Sequence, residues 1–221
     1  MTAGAGWTFD LPYLIICEGY DDCCYFNALI NARALRRCCI HHTGRSRHAR
    51  GGKFLFGDSL RAARVARTWR NIRKILLVVD CDDNQTASFD TVCDQVERVF
   101  DKRPAALGSP LNIDGTRLLA IITTPFAGQT GHLETLCATA ARAADAAVAG
   151  HTSHFAAMAG VDGWGNALRE EEMWLRANLA ARNQAHPAIH LGNAFSEAPA
   201  LIPLGNAAFN DHANFLASFF P

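Results

Sequence analysis

The stretch Ile75-Leu76-Leu77-Val78-Val79-Asp80-Cys81-Asp82-Asp83-Asn84 decides the fold. Its apolar half is short, continuous and rich in β-branched residues, which predicts a strand buried on both faces, as in a parallel sheet. The sudden change to acids and Asn predicts a loop at the strand's carboxyl end. A helix should follow, with Phe89, Val92, Cys93, Val96 and Phe100 on its inner face.

The same alternation extends outward on both sides. On the amino-terminal side, Tyr13–Cys17 is an apolar run that stops at Glu18-Gly19, and Asp21 or Asp22 can then open a helix facing inward through Cys23, Phe26, Leu29 and Ile30. Residues 38–42 form a weaker strand, followed by an Arg- and Gly-rich loop to Gly57. Asp58 or Ser59 is then expected to cap a helix that buries Ala62, Val65, Ala66 and Trp69. On the carboxyl-terminal side, Leu118–Thr124 reads as a strand stopped by Pro125, with a helix from His132 running through Leu136, Cys137, Ala140 and Ala144 toward Val148. Four such units predict an α/β fold: a Rossmann-like parallel sheet of about four strands flanked by helices. Beyond Gly150 the pattern loosens into helices near 168–182 and 211–220. The expectation is a single domain over 1–221, with a core at about 11–150 and a helical carboxyl-terminal extension at about 151–221.

Composition supports a globular chain. The 221 residues are 49% hydrophobic and 19% charged, enough to bury a core without covalent staples. The first ten residues lack a basic run followed by an apolar stretch, and no segment is apolar for long enough to span a bilayer. The expected location is cytoplasmic, with no membrane association. The eight Cys include no CxxC pair and sit in apolar segments, so they read as buried thiols. The adjacent pairs Cys38-Cys39 and His41-His42 lack the spacing with which one zinc ion takes both members of a pair.

Ligands of open parallel sheets bind beyond the carboxyl ends of the strands. Glu18 follows the first strand there, Asp80 and Asp82 follow the third, and Glu134 lies just past the fourth. Convergent carboxylates repel one another unless a cation neutralises them or one keeps its proton. A hard divalent ion such as Mg²⁺ or Mn²⁺ suits oxygen donors. If the chain stays extended after the strand, Asp80 and Asp82 point to the same side and can share an ion. Asp22 and Asp83 also read as ordinary helix caps.

These residues carry a resemblance. Leu14-Ile15-Ile16-Cys17-Glu18-Gly19 with Asp22, then Leu77-Val78-Val79-Asp80-Cys81-Asp82, resembles the two signature motifs of TOPRIM domains of topoisomerases, primases and overcoming-lysogenization-defect nucleases. Gly51-Gly52-Lys53 and Gly131-His132-Leu133-Glu134 are similar to segments of small stand-alone TOPRIM-like proteins. The resemblance implies a TOPRIM-like fold and Mg²⁺-dependent phosphodiester chemistry. Glu18 would be metal ligand or general acid/base, Asp80 and Asp82 would hold the ion, and Asp22 and Glu134 would be candidates for a second ion. Related nucleases also carry a carboxyl-terminal Lys, whereas this chain has none after Lys102; Arg176 and Arg182 are the candidate replacements.

Charge supports a nucleic-acid partner. Residues 33–74 hold 13 of the 21 Lys and Arg but one acid, Asp58. Arg45, Arg47, His48, Arg50 and Lys53 lie in the loop before the second helix, and Arg61, Arg64, Arg67 and Arg70 recur every third residue along it. Such a segment can neutralise phosphates, and Gly51-Gly52 allows backbone to approach an anion. The expected partner is DNA or RNA, with self-association open. The alternative is a non-catalytic metal- or nucleotide-binding module that works with a partner protein. A phosphoacceptor receiver would need a fifth strand ending in Lys-Pro, which the sequence lacks.

Overall fold

A computed structural model of the chain describes residues 7–44, 51–126 and 128–221. In chain order the first elements are β1 (Tyr13–Cys17), α1 (Tyr20–Ala32), β2 (Cys39–His42), α2 (Phe56–Arg64), β3 (Lys74–Asp80) and α3 (Gln85–Phe100). They are followed by β4 (Leu111–Asn112), β5 (Leu118–Thr124) and five helices: α4 (Leu133–Ala144), α5 (Ala146–Met158), α6 (Ala167–Arg182), α7 (Leu191–Glu197) and α8 (Asn210–Phe219). The sheet order is β2-β1-β3-β5-β4. β2, β1, β3 and β5 run parallel, and only the two-residue β4 is antiparallel. The protein is thus α/β, with a mostly parallel five-strand sheet flanked by helices. The extra strand β4 comes from the 104–115 connection, where the sequence shows only Pro, Gly and polar residues.

Period-two alternation divides the sheet's side chains between two cores. Ile15, Cys17, Leu76, Val78, Ala120 and Ile122 face one way, packed with α1 and with α4 through α8. Leu14, Ile16, Ile75, Leu77, Val79, Leu119 and Ile121 face the other way, against α2 and α3. The helices beyond Gly150 therefore share a core with the sheet: Trp174, Leu175, Leu179, Phe195, Phe209, Leu216 and Phe220 are all buried in the first cluster. A polar link reinforces the last helix. His212 on α8 is 1% exposed and lies 3.0 Å from both the Tyr25 hydroxyl and the Thr123 carbonyl. A carbonyl only accepts, so Nε2 donates to it and Nδ1 accepts from Tyr25. Burial pushes this imidazole down to about 4.

Three local expectations are corrected. α2 begins at Phe56, directly after the one-turn 3-10 helix Lys53–Leu55, and ends at Arg64. Its buried residues are Phe56, Gly57, Ser59, Leu60 and Ala63, while Val65 is 86% exposed and Ala62 faces solvent. Arg67 and Arg70 consequently lie beyond the helix, and the every-third-residue Arg stripe does not form. The helix from His132 stops at Ala144, because Asp145 leaves helical geometry and accepts the Val148 N–H as the cap of α5. α7 has no counterpart in the sequence reading. Among the described residues, no helix is long and apolar enough to cross a membrane, and all eight Cys are free thiols.

Candidate functional site

β1 connects through α1 to β2 on one side, and the chain then crosses back to β3 on the other. The β1–β3 junction is therefore the point where strand order reverses, the usual ligand crevice of an open sheet. Glu18 and Asp80 stand at its two carboxyl ends. The Glu18 carboxylate accepts the Asp80 backbone N–H at 3.2 Å, which orients it. Burial, with the neighbouring Asp82 charge, still raises its pKa.

Asp22 lies one turn into α1, 5% exposed, and accepts the Gly19 N–H at 2.9 Å. The capping role foreseen for it is real, yet a cap that merely satisfies a helix end stays in water. Burial first, then Glu18, Glu134 and Asp21, push the Asp22 carboxyl up to about 7. Asp80 is the most extreme member. Burial followed by repulsion from Asp22, Glu18, Glu134 and Asp82 lifts it well above the carboxylate range, and its Oδ1 is buried with no hydrogen-bond partner. α3 is capped by Asn84, whose side chain accepts the Ala87 N–H, and not by Asp83.

Asp82 behaves differently from Asp80. The strand ends at Asp80, and Asp82 turns into the left-handed region, with φ of 50°. The extended geometry that would align the two side chains is absent. Asp82 instead sits at the mouth, its side chain 45% exposed, paired with Lys53 Nζ at 2.5 Å. Lys53 Nζ also reaches Ser88 at 3.4 Å. The Asp82 hydrogen bond, then the charges of Asp82, Glu18 and Asp80, hold the ammonium above its usual pKa.

The local sequence explains how Lys53 gets there. Thr43 Oγ1 donates to the Glu18 carbonyl at 2.9 Å and accepts the Gly52 N–H at 2.9 Å. At Gly51 a Cβ would fall 2.0 Å from that same Glu18 carbonyl. The glycine therefore permits close approach of backbone to backbone, not to an anion as its sequence context suggests. Gln95 closes the turn from α3, donating to the Lys53 carbonyl at 2.6 Å and accepting the Gly57 N–H at 2.9 Å.

Glu134 lies on the opposite rim, in the first turn of α4. His132 Nδ1 is 3.0 Å from its carboxylate. Burial works upward on Glu134, but the His132 contact, its own backbone N–H and the Arg176 charge together outweigh it, and the net shift is downward. Glu134, Asp21, Arg176 and His190 line a cavity of about 40 Å³ between α1, α4, α6 and α7. Gly192 packs tightly enough on Asp21 that a Cβ there would meet its Oδ1 at 2.5 Å.

The structure thus places Glu18, Asp22, Asp82 and Glu134 within electrostatic reach of Asp80 and adds Lys53 to them. Arg45, Arg47, His48 and Arg50 lie outside the described residues. Of the two Arg considered in place of a late Lys, Arg176 borders the acids. Arg182 does not, since it donates to the Leu201 and Ala200 carbonyls. Much of the remaining basic segment is also committed: Arg33 holds the Leu204 and Asn206 carbonyls, Arg64 that of Val99, and Lys74 that of Phe219. Asp21 was legible only as an alternative cap.

The residues suit a hard divalent cation in donor chemistry. They offer carboxylate oxygens alone, one an orphaned buried atom, and their mutual repulsion is what a cation relieves. Among the described residues, no group of three or more His, Cys, Asp or Glu is placed to hold a metal ion.

No curated protein and no solved structure matches the chain. Residues 12–220 match one family, from the start of β1's approach to the end of α8, so both the crevice and the carboxyl-terminal helices lie within it. The chain belongs to the family described as Protein of unknown function (DUF3226).

Proposed function

We propose that this protein is a divalent-metal-dependent phosphodiesterase acting on nucleic acid, built on a TOPRIM-like sheet. One observation carries the reading. Asp80 is buried with an unpartnered oxygen at the strand-order reversal, in the field of Glu18, Asp22, Asp82 and Glu134. Burying like charges together is costly, and a cation with phosphate oxygens is the ligand that repays it.

Asp80 and Glu18 would hold the ion, with Asp22 and Glu134 available to a second. When bound, a divalent ion supplies Lewis acidity toward a phosphoryl oxygen and lowers the pKa of its water. Glu18, held by the Asp80 backbone N–H and raised in pKa, is placed to take a proton from an attacking water at its carboxylate. Lys53 brings a positive charge to the mouth, where a phosphodiester's charge would grow. It fills the role that the absent late Lys leaves open. Asp22, held near neutral pH, can carry a proton without a metal and give it up when one binds.

The test is cleavage of single- and double-stranded DNA and RNA by purified protein in Mg²⁺ or Mn²⁺, beside Glu18→Gln and Asp80→Asn. Metal-dependent cleavage lost in both variants supports the reading. Intact substrates under all conditions, with metal bound, would leave the alternative of a non-catalytic metal-binding module.

A further inference from the structure

Phe54 is 74% exposed although it follows Lys53 directly, on a turn pinned from both sides. Before it, Gly52 is held by Thr43, and Lys53 by Asp82 and Gln95. Within the turn, the Leu55 N–H bonds the Gly52 carbonyl. After it, Phe56 is fully buried and Gly57 is fixed by Gln95. A backbone anchored in this way holds the ring in water; the ring is not out by slack. Among the described residues, the other exposed aromatic rings of large apolar side chains, Phe155 and Trp164, belong to α5 and the turn after it. Phe54 is therefore an exposed ring directly after the cation that meets Asp82, and one ring is smaller than a protein-docking patch.

We infer that Phe54 is a stacking platform for an unpaired nucleobase, so that the site takes single-stranded nucleic acid. The chemistry fits in two parts. A nucleotide next to the crevice would offer its phosphate to Lys53 and its base, one residue along, to Phe54. Bases stack on aromatic rings only when their faces are free, and in a duplex those faces are covered by neighbouring pairs. Stacking is indifferent to base identity, so the surface selects strandedness and not sequence. The inference rests on the nucleic-acid reading above but not on catalysis.

The experiment measures binding of fluorescein-labelled oligothymidylate, oligouridylate, a duplex of equal length, and a base-free deoxyribose-phosphate strand, without divalent metal. Wild type should prefer the single strands. Phe54→Ala should lose about tenfold for the base-bearing strands and nothing for the base-free strand. Phe54→Trp should keep affinity, with its fluorescence quenched on binding, and Trp164→Ala should bind as wild type. Phe54 is exposed, so its substitution leaves the fold intact. Unchanged oligothymidylate binding by Phe54→Ala, an equal loss on the base-free strand, or no strand binding by wild type would overturn the inference. Phe54-dependent binding without metal-dependent cleavage would retire the catalytic reading and leave the stacking surface standing.

Discussion

Glu18 and Asp80 are joined across the β1–β3 junction by a hydrogen bond from the Asp80 backbone N–H to the Glu18 carboxylate, 3.2 Å long. One acid is oriented by the backbone of the other, while the second acid's own Oδ1 remains buried and unpartnered. The pair is therefore ordered but electrostatically unsatisfied.

Relieving that repulsion should stabilise the metal-free protein. Asp80 is harder to ionise in the fold than in the unfolded chain, a cost that grows with pH; Asp80→Asn keeps the shape and cannot ionise, so its Tm in chelator at neutral pH should rise by about 2–4 °C, corresponding to roughly 1 kcal/mol. The same variant should lose the Tm increase that Mg²⁺ or Mn²⁺ gives wild type. Differential scanning fluorimetry with and without metal reads both effects.

Two buried groups should tilt the pH dependence of stability in opposite directions. Between its ordinary 3.8 and about 7, Asp22 keeps its proton in the fold and releases it in the unfolded chain. The native state then binds more protons, and stability falls as pH rises through that window. His212, lowered to about 4 from 6.5, stays neutral in the fold while the unfolded chain takes up a proton. Its contribution is present above 6.5 and is lost as pH drops toward 4. Because Asp80, Glu18 and Asp21 are also raised, Asp22→Asn should make the Tm fall less steeply with pH from 4 to 7 than wild type, and His212→Gln more steeply. Added Mg²⁺ should flatten the Asp22 slope only.

The two glycines before Lys53 should respond differently to a methyl group. Gly51→Ala drives a Cβ into the Glu18 carbonyl at 2.0 Å, and should cost about 1–3 kcal/mol and displace Glu18. Gly52→Ala meets nothing within 4 Å and should stay within about 0.5 kcal/mol of wild type. Urea unfolding of both proteins decides it.

Lys53→Ala should separate function from stability. The Lys53–Asp82 pair is partly exposed, so its loss should change stability by less than about 1 kcal/mol. Removing a cation from the place where charge grows should lower kcat by about 10²-fold. A stability loss that accounts for the whole activity loss would make Lys53 structural.

The parallel sheet was legible because β1, β3 and β5 are largely apolar runs stopped by Glu18, Asp80 and Pro125. The α2 register was not, because the helix is set by Phe56 and by the turn before it. Ala62, Val65 and Ala66 satisfy helical spacing equally well on paper. The break at Asp145 and the short α7 depend on tertiary packing of an Ala- and Asn-rich segment that carries little periodic signal. At the site, the sequence yields the acids because they follow strands. It reads Lys53 only as one more basic residue, since its ammonium meets Asp82 across 29 positions of chain. It also treats Asp80 and Asp82 alike, and only the left-handed turn at Asp82 distinguishes the buried acid from the one at the mouth.

The most direct test of metal binding is a crystal soaked in Mn²⁺ with data collected to locate anomalous scatterers. The expected result is a peak within coordination distance of Asp80 Oδ1 and the Glu18 carboxylate, absent in Asp80→Asn crystals. No peak in the crevice at saturating Mn²⁺, or a peak that survives Asp80→Asn, would contradict the proposal that this acid cluster is a metal site.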